Sequence, residues 1–449
     1  SQYAFFPSVS AGWRVSQEPF WKVPEEIFSN LKVRASYGSL GNGNIDPYSF
    51  QELFKIKQSS LVLNGIRPQY TGQPAVIPLG LTWEKSTTLN LGLDFAFLSN
   101  RLQFSGDIYQ RKTTDMFTVG MSLPAVFGTD VPKGNYADLT TKGFELSVSW
   151  RDQFQLASKP FNYEVRFTLA DYQSTIDKYN NPEKKLGDDY YYEGMKVGEI
   201  WGYETEGFFT SQADIDSHAK QPYFYAGATA GQWLPGDIKF KDLNGDGVID
   251  YGNNTVDNPG DQKIIGNSEP RFIYGINLSG DWNNFFVSAF FQGVGKQDWW
   301  PGSEASYFWG MYNRPYNDMP KSHLGNIWTE ENPNTYFPRL RGYSSEEPYA
   351  ELNLKQTRYL QNIAYIRMKN IQLGYTLPKS FISKLRMQNA KVYVSGENLW
   401  SWSPFYKYSK DLDVEAVRGS DRDLTEGTSG NGYSYPILKS VSFGLSVTF

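Results

Sequence analysis

The chain has 449 residues, 43 Lys and Arg against 48 Asp and Glu, and a formal net charge of −5. A charge this small and well mixed, with no basic run, excludes a dedicated nucleic-acid binder. The lack of cysteine removes disulfides, thiolate metal sites and thiol nucleophiles, and two histidines, His218 and His323, are too few for a multi-histidine zinc site. No apolar run approaches the roughly 18 residues that a transmembrane helix needs. The negative mean hydropathy does not argue against a membrane, because a barrel that is apolar only on alternate residues never scores as hydrophobic. With 31 Tyr, 30 Phe, 13 Trp and 41 Gly, the composition favours strands and turns over helices.

In chain order, segments of period two recur, each with an apolar and a polar or small face. The first runs from Tyr3 to Val15, with Tyr3, Phe5, Val9, Ala11 and Trp13 on one side. Leu31, Val33, Ala35 and Tyr37 oppose Lys32, Arg34 and Ser36; Leu89 to Phe97 alternates with Asn90, Gly92 and Asp94. Leu102, Phe104 and Ile108 oppose Gln103, Ser105, Asp107 and Tyr109. Phe144 to Trp150 and Tyr163 to Leu169 repeat the pattern, with Glu145, Arg151, Glu164 and Arg166 on their polar sides. Phe272 to Leu278 and Phe285 to Val294 follow. A segment from Leu360 to Leu377 changes parity between Met368 and Ile371, which predicts a bulge. Lys391 to Trp400 and Ser440 to Phe449 complete a set of eleven strands.

The connections alternate in length. Residues 98–100, 152–160, 282–284 and 378–389 are short links and 16–30 is middling, whereas 39–86, 112–141, 174–270, 295–359 and 401–439 are long. A soluble sandwich has no reason to sort its loops by parity, but an outer-membrane barrel has tight periplasmic turns and long extracellular loops. On that reading the last strand ends in the periplasm and the first begins outside. Since single-chain barrels of this kind have even strand numbers, the chain is expected to be the C-terminal part of a larger barrel. Trp13, Tyr37, Trp150, Trp282 and Trp400 near strand ends would form the interfacial girdle.

Several stretches carry a family resemblance: "FFPSVSAGWRVSQEPF" (5–20), "LKVRASYGSLGNGNI" (31–45), "LTWEKSTTLNLGLDF" (81–95), "PGDIKFKDLNGDGVID" (235–250), "IIGNSEPRFIYGINLSGDW" (264–282), "FFQGV" (290–294), "YIRMKNIQLGYTLP" (365–378) and "VYVSGENLW" (392–400). Spread in order over nearly the whole chain, they resemble the SusC/RagA family of TonB-dependent outer-membrane transporters of Bacteroidetes. The resemblance implies an all-β fold: residues 1–449 as the C-terminal part of a 22-stranded transmembrane barrel, with the plug domain and TonB box outside this chain. It also implies a SusD-like lid lipoprotein, TonB as energy source, a possible dimer of transporter–lid pairs, and import of oligosaccharides or, in some members, peptides. Phe449, with Phe443 two outward positions back along the same face from Val447, resembles the aromatic-ended signal read when barrels are assembled.

The residues suggest further sites. Asp242, Asn244, Asp246 and Asp250 fall at positions 1, 3, 5 and 9 of a calcium-loop pattern, with Gly247 at the turn and the Val248 carbonyl at position 7. Position 12 is Asn253 rather than Glu, and no helices flank the loop, so a structural Ca²⁺ or Mg²⁺ clip is set against a metal-free Asx-turn cluster, with Asp257 or Asp261 as further ligands. Trp299, Trp300, Tyr307, Phe308, Trp309 and Tyr312 crowd one predicted outer loop, where rings suit a partner protein or a sugar, or pack together. The acid–aromatic loops 187–194 and 408–415 read as solvated surface, and Gly41 and Gly43 as a strand-to-loop bend rather than a nucleotide loop. Glu204 with Glu206, or Asp188 with Asp189, would be a glycosidase pair only if placed opposite each other. No nucleophile–base arrangement stands out, so no enzyme is expected. Alternatives to the transporter are a secreted calcium-stabilised protein that binds or cleaves polysaccharide, and a passive porin.

Overall fold

A computed structural model of the chain describes residues 3–43, 51–72, 74, 76–77, 81–120, 131, 133–187, 190–221, 232–302, 305–316, 319–346, 350–417 and 435–449. Its central feature is one 11-stranded antiparallel sheet in which each strand pairs with the next in sequence. The strands are β1 Ser8–Arg14, β2 Phe28–Asn42, β3 Glu84–Phe97, β4 Leu102–Val119, β5 Lys133–Leu156, β6 Lys159–Lys178, β7 Arg271–Trp282, β8 Phe285–Lys296, β9 Tyr365–Thr376, β10 Asn389–Trp402 and β11 Ser440–Thr448. All eleven expected strands are present, and the links sort by parity as the sequence implies. Two expectations need correction. The segments 112–119 and 133–141, read as loop, are strand, and so is most of 152–160: the link between β5 and β6 is only Ala157 and Ser158. The bulge between Met368 and Ile371 is present, with Lys369 dropped from the ladder to β8 and to β10.

The tight turns set the registers. Leu156 pairs with Lys159 and Trp282 with Phe285, so the turns are Ala157-Ser158 and Asn283-Asn284, and all four residues have positive φ. That is the turn geometry whose twist matches a right-handed hairpin. Each sheet position then has a fixed face. Register places Leu91 beside Ala35 and Ile108, and Gly92 beside Arg34 and Asp107.

The two faces differ as lipid and water would require. On one, Val33, Leu89, Leu91, Ile108, Val165, Leu278, Leu373, Val441 and Leu445 are exposed, and among the described residues the other sheets are two-stranded and none covers this face. An apolar surface of this extent is far beyond what a soluble monomer leaves bare, and it is the outward band of a membrane barrel. The secreted-protein alternative needed these side chains buried between stacked sheets, and they are not. Aromatic rings gather near the tight turns: Phe28, Phe95, Phe97 and Phe104 form one group, Phe154, Phe161 and Tyr163 another, and Trp150 donates to the Tyr163 hydroxyl at 3.1 Å. Both edge strands, β1 and β11, present one unpaired ladder, an edge that hydrocarbon cannot satisfy.

The principal apolar core lies off the sheet, in the long loops. It joins Tyr203, Ile238, Phe240 and Ile249 to Trp299, Phe308, Trp309, Tyr312, Phe337, Leu352 and Tyr359, and reaches Phe405 and Val414. Short ribbons frame it: Glu199–Tyr203 with Gln262–Asn267, Thr205–Phe208 with Ile238–Phe240, and Asp298–Trp299 with Gln361–Asn362. Described parts of three of the long loops, β6–β7, β8–β9 and β10–β11, therefore form one packed crown at the end of the sheet opposite the tight turns.

Candidate functional site

The polar face of the sheet carries an ordered charge network. Arg34 on β2 donates from Nε to Asp94 Oδ2 at 2.7 Å and from both Nη atoms to the Asp107 carboxylate at 2.8 Å, and Ser105 donates to Asp94 at 2.7 Å. Gly92 makes this possible: a Cβ there would lie 2.5 Å from the guanidinium carbon. Further along, Arg151 pairs with Glu164 at 2.8 Å. At the crown end, opposite Phe144, Asp171 holds Arg271 through two contacts of 2.6 Å and accepts from the Phe272 amide at 3.2 Å, bracing a residue at φ 55°. On the polar face Arg34 with Asp94 and Asp107, and Arg151 with Glu164, give a wetted wall with fixed dipoles.

A second set of charges ties the β10–β11 loop to this wall. Arg367 on β9 reaches Asp413 at 2.6 Å and Glu415 at 2.8 Å, and Lys369, released by the bulge, also pairs with Glu415. Asp413 additionally accepts from the Glu415 and Ile437 amides, each at 3.0 Å. The reading of 408–415 as solvated surface is therefore overturned: Asp413 and Glu415 are largely buried, because β9 supplies two cations that only a folded-back loop can meet. That loop borders a cavity of about 890 Å³.

The crown buries most of the predicted aromatic cluster. Trp299, Phe308, Trp309 and Tyr312 are core residues with almost no surface; Trp300 is half-buried and Tyr307 is exposed. Trp309 donates to the Pro301 and Gly302 carbonyls, and Tyr312 to the Pro338 carbonyl at 2.5 Å. Of the six, only Tyr307 and the edge of Trp300 are available to a partner or ligand. His323 sits among them, fully buried, with its ring 4.1 Å from that of Phe337 and Nε2 2.9 Å from the Phe308 carbonyl oxygen. Burial holds its pKa below the ordinary 6.5. A group so depressed contributes full stability above its unfolded value and loses it as pH falls below that value towards the folded one. Protease sensitivity of the crown is accordingly expected to rise below about pH 6.5, and His323→Gln to flatten that pH dependence.

The predicted metal loop is held by its own backbone. Asp242 accepts from Gly245 at 2.6 Å and Gly247 at 2.9 Å, Asn244 from Asp246 at 2.9 Å, Asp246 from Val248 at 2.8 Å and Asp250 from Gly252 at 2.7 Å. Buried Asp261 gathers the Leu243, Asn244 and Asp250 amides, and burial pushes its pKa up. Among the described residues no three His, Cys, Asp or Glu side chains converge to hold a metal. Treatment of the full protein with EDTA tests the clip: a chelator-dependent cut within 242–261 supports the Ca²⁺ or Mg²⁺ reading, and unchanged proteolysis supports the metal-free Asx-turn cluster.

Glu204 and Glu206 do not form an acid–base pair. Glu204 is shared by Lys241, at 3.0 Å, and Lys263, whose hydrogen bonds hold it below the usual carboxylate range, while Glu206 faces Lys239 at 3.8 Å. Asp188 and Asp189 lie outside the described residues. Phe443 and Phe449 both stand exposed on β11 and at the final position after it. Sequence reasoning missed the buried cluster of Asp237, Arg339, Arg341 and Glu351 altogether, since Asp237 lies more than a hundred residues before Arg339 and no local pattern links it to the other three.

A family model described as TonB dependent receptor-like, β-barrel, matches residues 1–399. TonB-dependent receptor P3 of Formosa agariphila is 28% identical over 471 residues, covering 100% of this chain and 42% of its own length. TonB-dependent receptor SusC of Bacteroides thetaiotaomicron is 24% identical over 475 residues, covering 100% of this chain and 40% of its own. The solved structure of the RagAB peptide transporter shares the fold, with a TM-score of 0.72 at 20% identity over 99% of this chain and 44% of that one. This chain thus spans about two fifths of the length of the curated relatives it matches. An apolar outer face, a charged inner face and long loops on one side only are what such a barrel requires, and the chain belongs to the TonB-dependent receptor-like β-barrel family.

Proposed function

We propose that this chain forms part of the wall and mouth of a TonB-dependent transporter that imports oligosaccharides across the outer membrane together with a SusD-like surface lipoprotein. The observation that carries the transport reading is the single sheet with opposite faces: lipid-suited side chains outside and a matched ionic lining, centred on Arg34, Asp94 and Asp107, inside. Passage along such a lining needs no covalent chemistry. The tight turns on one side support a periplasmic C-terminus for β11, where Phe449 at its end serves assembly. TonB acts through parts of the protein beyond this chain, and pairs of transporter and lid assemble as a dimer.

Saccharide as cargo is supported by an exposed ring at the crown, Tyr307. A second reading, peptide import, is favoured by the fold shared with a structure named as a peptide transporter. The test is uptake of labelled oligosaccharides and oligopeptides by cells carrying or lacking the full-length gene, in tonB⁺ and tonB⁻ backgrounds. Saccharide uptake that needs both genes supports the first reading. Peptide uptake alone selects the second, and uptake indifferent to TonB makes the protein a passive pore.

A further inference from the structure

The cavity of about 890 Å³ beside the β10–β11 loop has a composition unlike the rest of this acidic chain. It exists because β11 begins at Ser440 opposite Glu397, so the upper end of β10 has no partner strand on that side. There Asn398 turns to φ 52° and donates through Nδ2 to the Leu438 carbonyl at 3.2 Å. Lys407, Lys410 and Lys439 all border the hollow, and among the described residues Asp411 is their only counter-charge on the wall, since Asp413 is already committed to Arg367. Among the described residues neither Lys410 nor Lys439 has a carboxylate partner. The Asn398 Oδ1 atom is buried and accepts no hydrogen bond there. Such an atom costs free energy unless a donor reaches it.

We propose that this cavity is a subsite for an acidic oligosaccharide, one bearing carboxylate or sulfate groups; the inference rests on the saccharide reading above. The lysines answer the anionic groups and a sugar hydroxyl donates to Asn398 Oδ1. A neutral glycan would leave the ammonium groups without partners. The salt bridges from β9 to Asp413 and Glu415 hold the loop that carries Lys407 and Lys410, so the cationic side is pre-organised before ligand arrives.

The test uses the full-length transporter, purified in detergent, with three probes of equal length in calorimetry: tetragalacturonate, neutral galactotetraose and tetraglutamate. The expected result is binding of tetragalacturonate that weakens with added salt and falls about tenfold or more in the double variant Lys410→Gln with Lys439→Gln. Heat-modifiable gel mobility confirms that the variant is folded, and Lys410→Arg with Lys439→Arg should restore binding. Equal binding of acidic and neutral saccharides, no effect of the lysine changes, or no binding of any probe overturns the subsite. Binding of the neutral saccharide alone overturns it while leaving saccharide import standing. Binding of tetraglutamate without either saccharide overturns both.

Discussion

Leu91→Arg is expected to keep the full-length protein out of the outer membrane. Leu91 sits mid-strand on β3, 49% exposed, with Ala35 and Ile108 as its neighbours across the ladder on the same face. If that face meets hydrocarbon, an arginine there costs about 2–4 kcal/mol near the midplane. That is a large share of the net stability of a typical domain, about 5–15 kcal/mol. The control is Ser147→Arg, on the inner face of β5 between Ser105 and Thr168, where water and charged neighbours already exist. Folded, heat-modifiable protein in the outer-membrane fraction should fall sharply for Leu91→Arg and little for Ser147→Arg. Equal yields from the two variants would mean that Leu91 does not touch lipid, and the barrel reading would fail with it.

The sheet was legible in the sequence because lipid on one side and water on the other impose strict alternation, and alternation survives without any knowledge of partners. The parity change between Met368 and Ile371 located a bulge for the same reason. Legibility ends where the membrane ends. From Arg111 to Val119 and from Lys133 to Lys142 both faces meet water or crown, period two fades, and continuous strand looks like loop. The Ala157-Ser158 turn was hidden because its residues carry none of the Asn-Gly signal that usually marks positive φ at both positions. In the crown, ring density around Trp309 was visible but its meaning was not. Whether a ring is offered to a ligand or buried depends on Phe337 and Tyr359, from far along the same β8–β9 loop, and on Phe405 from the β10–β11 loop. Asp413 and Glu415 show the same limit for charge, since nothing near them in sequence announces Arg367.

The largest effect outside the membrane is expected at Asp237. Its carboxylate is fully buried, accepts from Arg339 Nε at 2.6 Å and Arg341 Nε at 2.8 Å, and also takes the Leu234 amide at 2.7 Å. Burial pulls both guanidinium pKa values down while the nearby Glu351 carboxylate pushes them back up, so the cations depend on acids close at hand. Glu351 also accepts from the Ile238 amide at 2.9 Å, which links the cluster to the Thr205–Phe208 and Ile238–Phe240 ribbon at the centre of the crown. Removing one partner of a buried ion pair leaves the other uncompensated and costs about 3–5 kcal/mol. Asp237→Ala should therefore speed hydrogen exchange of peptides spanning 232–250 and 335–346 by roughly a hundred- to a few-thousand-fold at about 1.4 kcal/mol per tenfold. Exchange in β3 to β6 should not change, because the sheet holds itself by its own ladders. Asp237→Asn separates charge from shape: it keeps an acceptor for the Leu234 amide yet leaves the guanidinium groups unanswered. If Asn exchanges like the native protein and only Ala loosens the crown, Asp237 acts as a backbone cap; if both loosen it, the crown over the barrel mouth is held by that one buried negative charge.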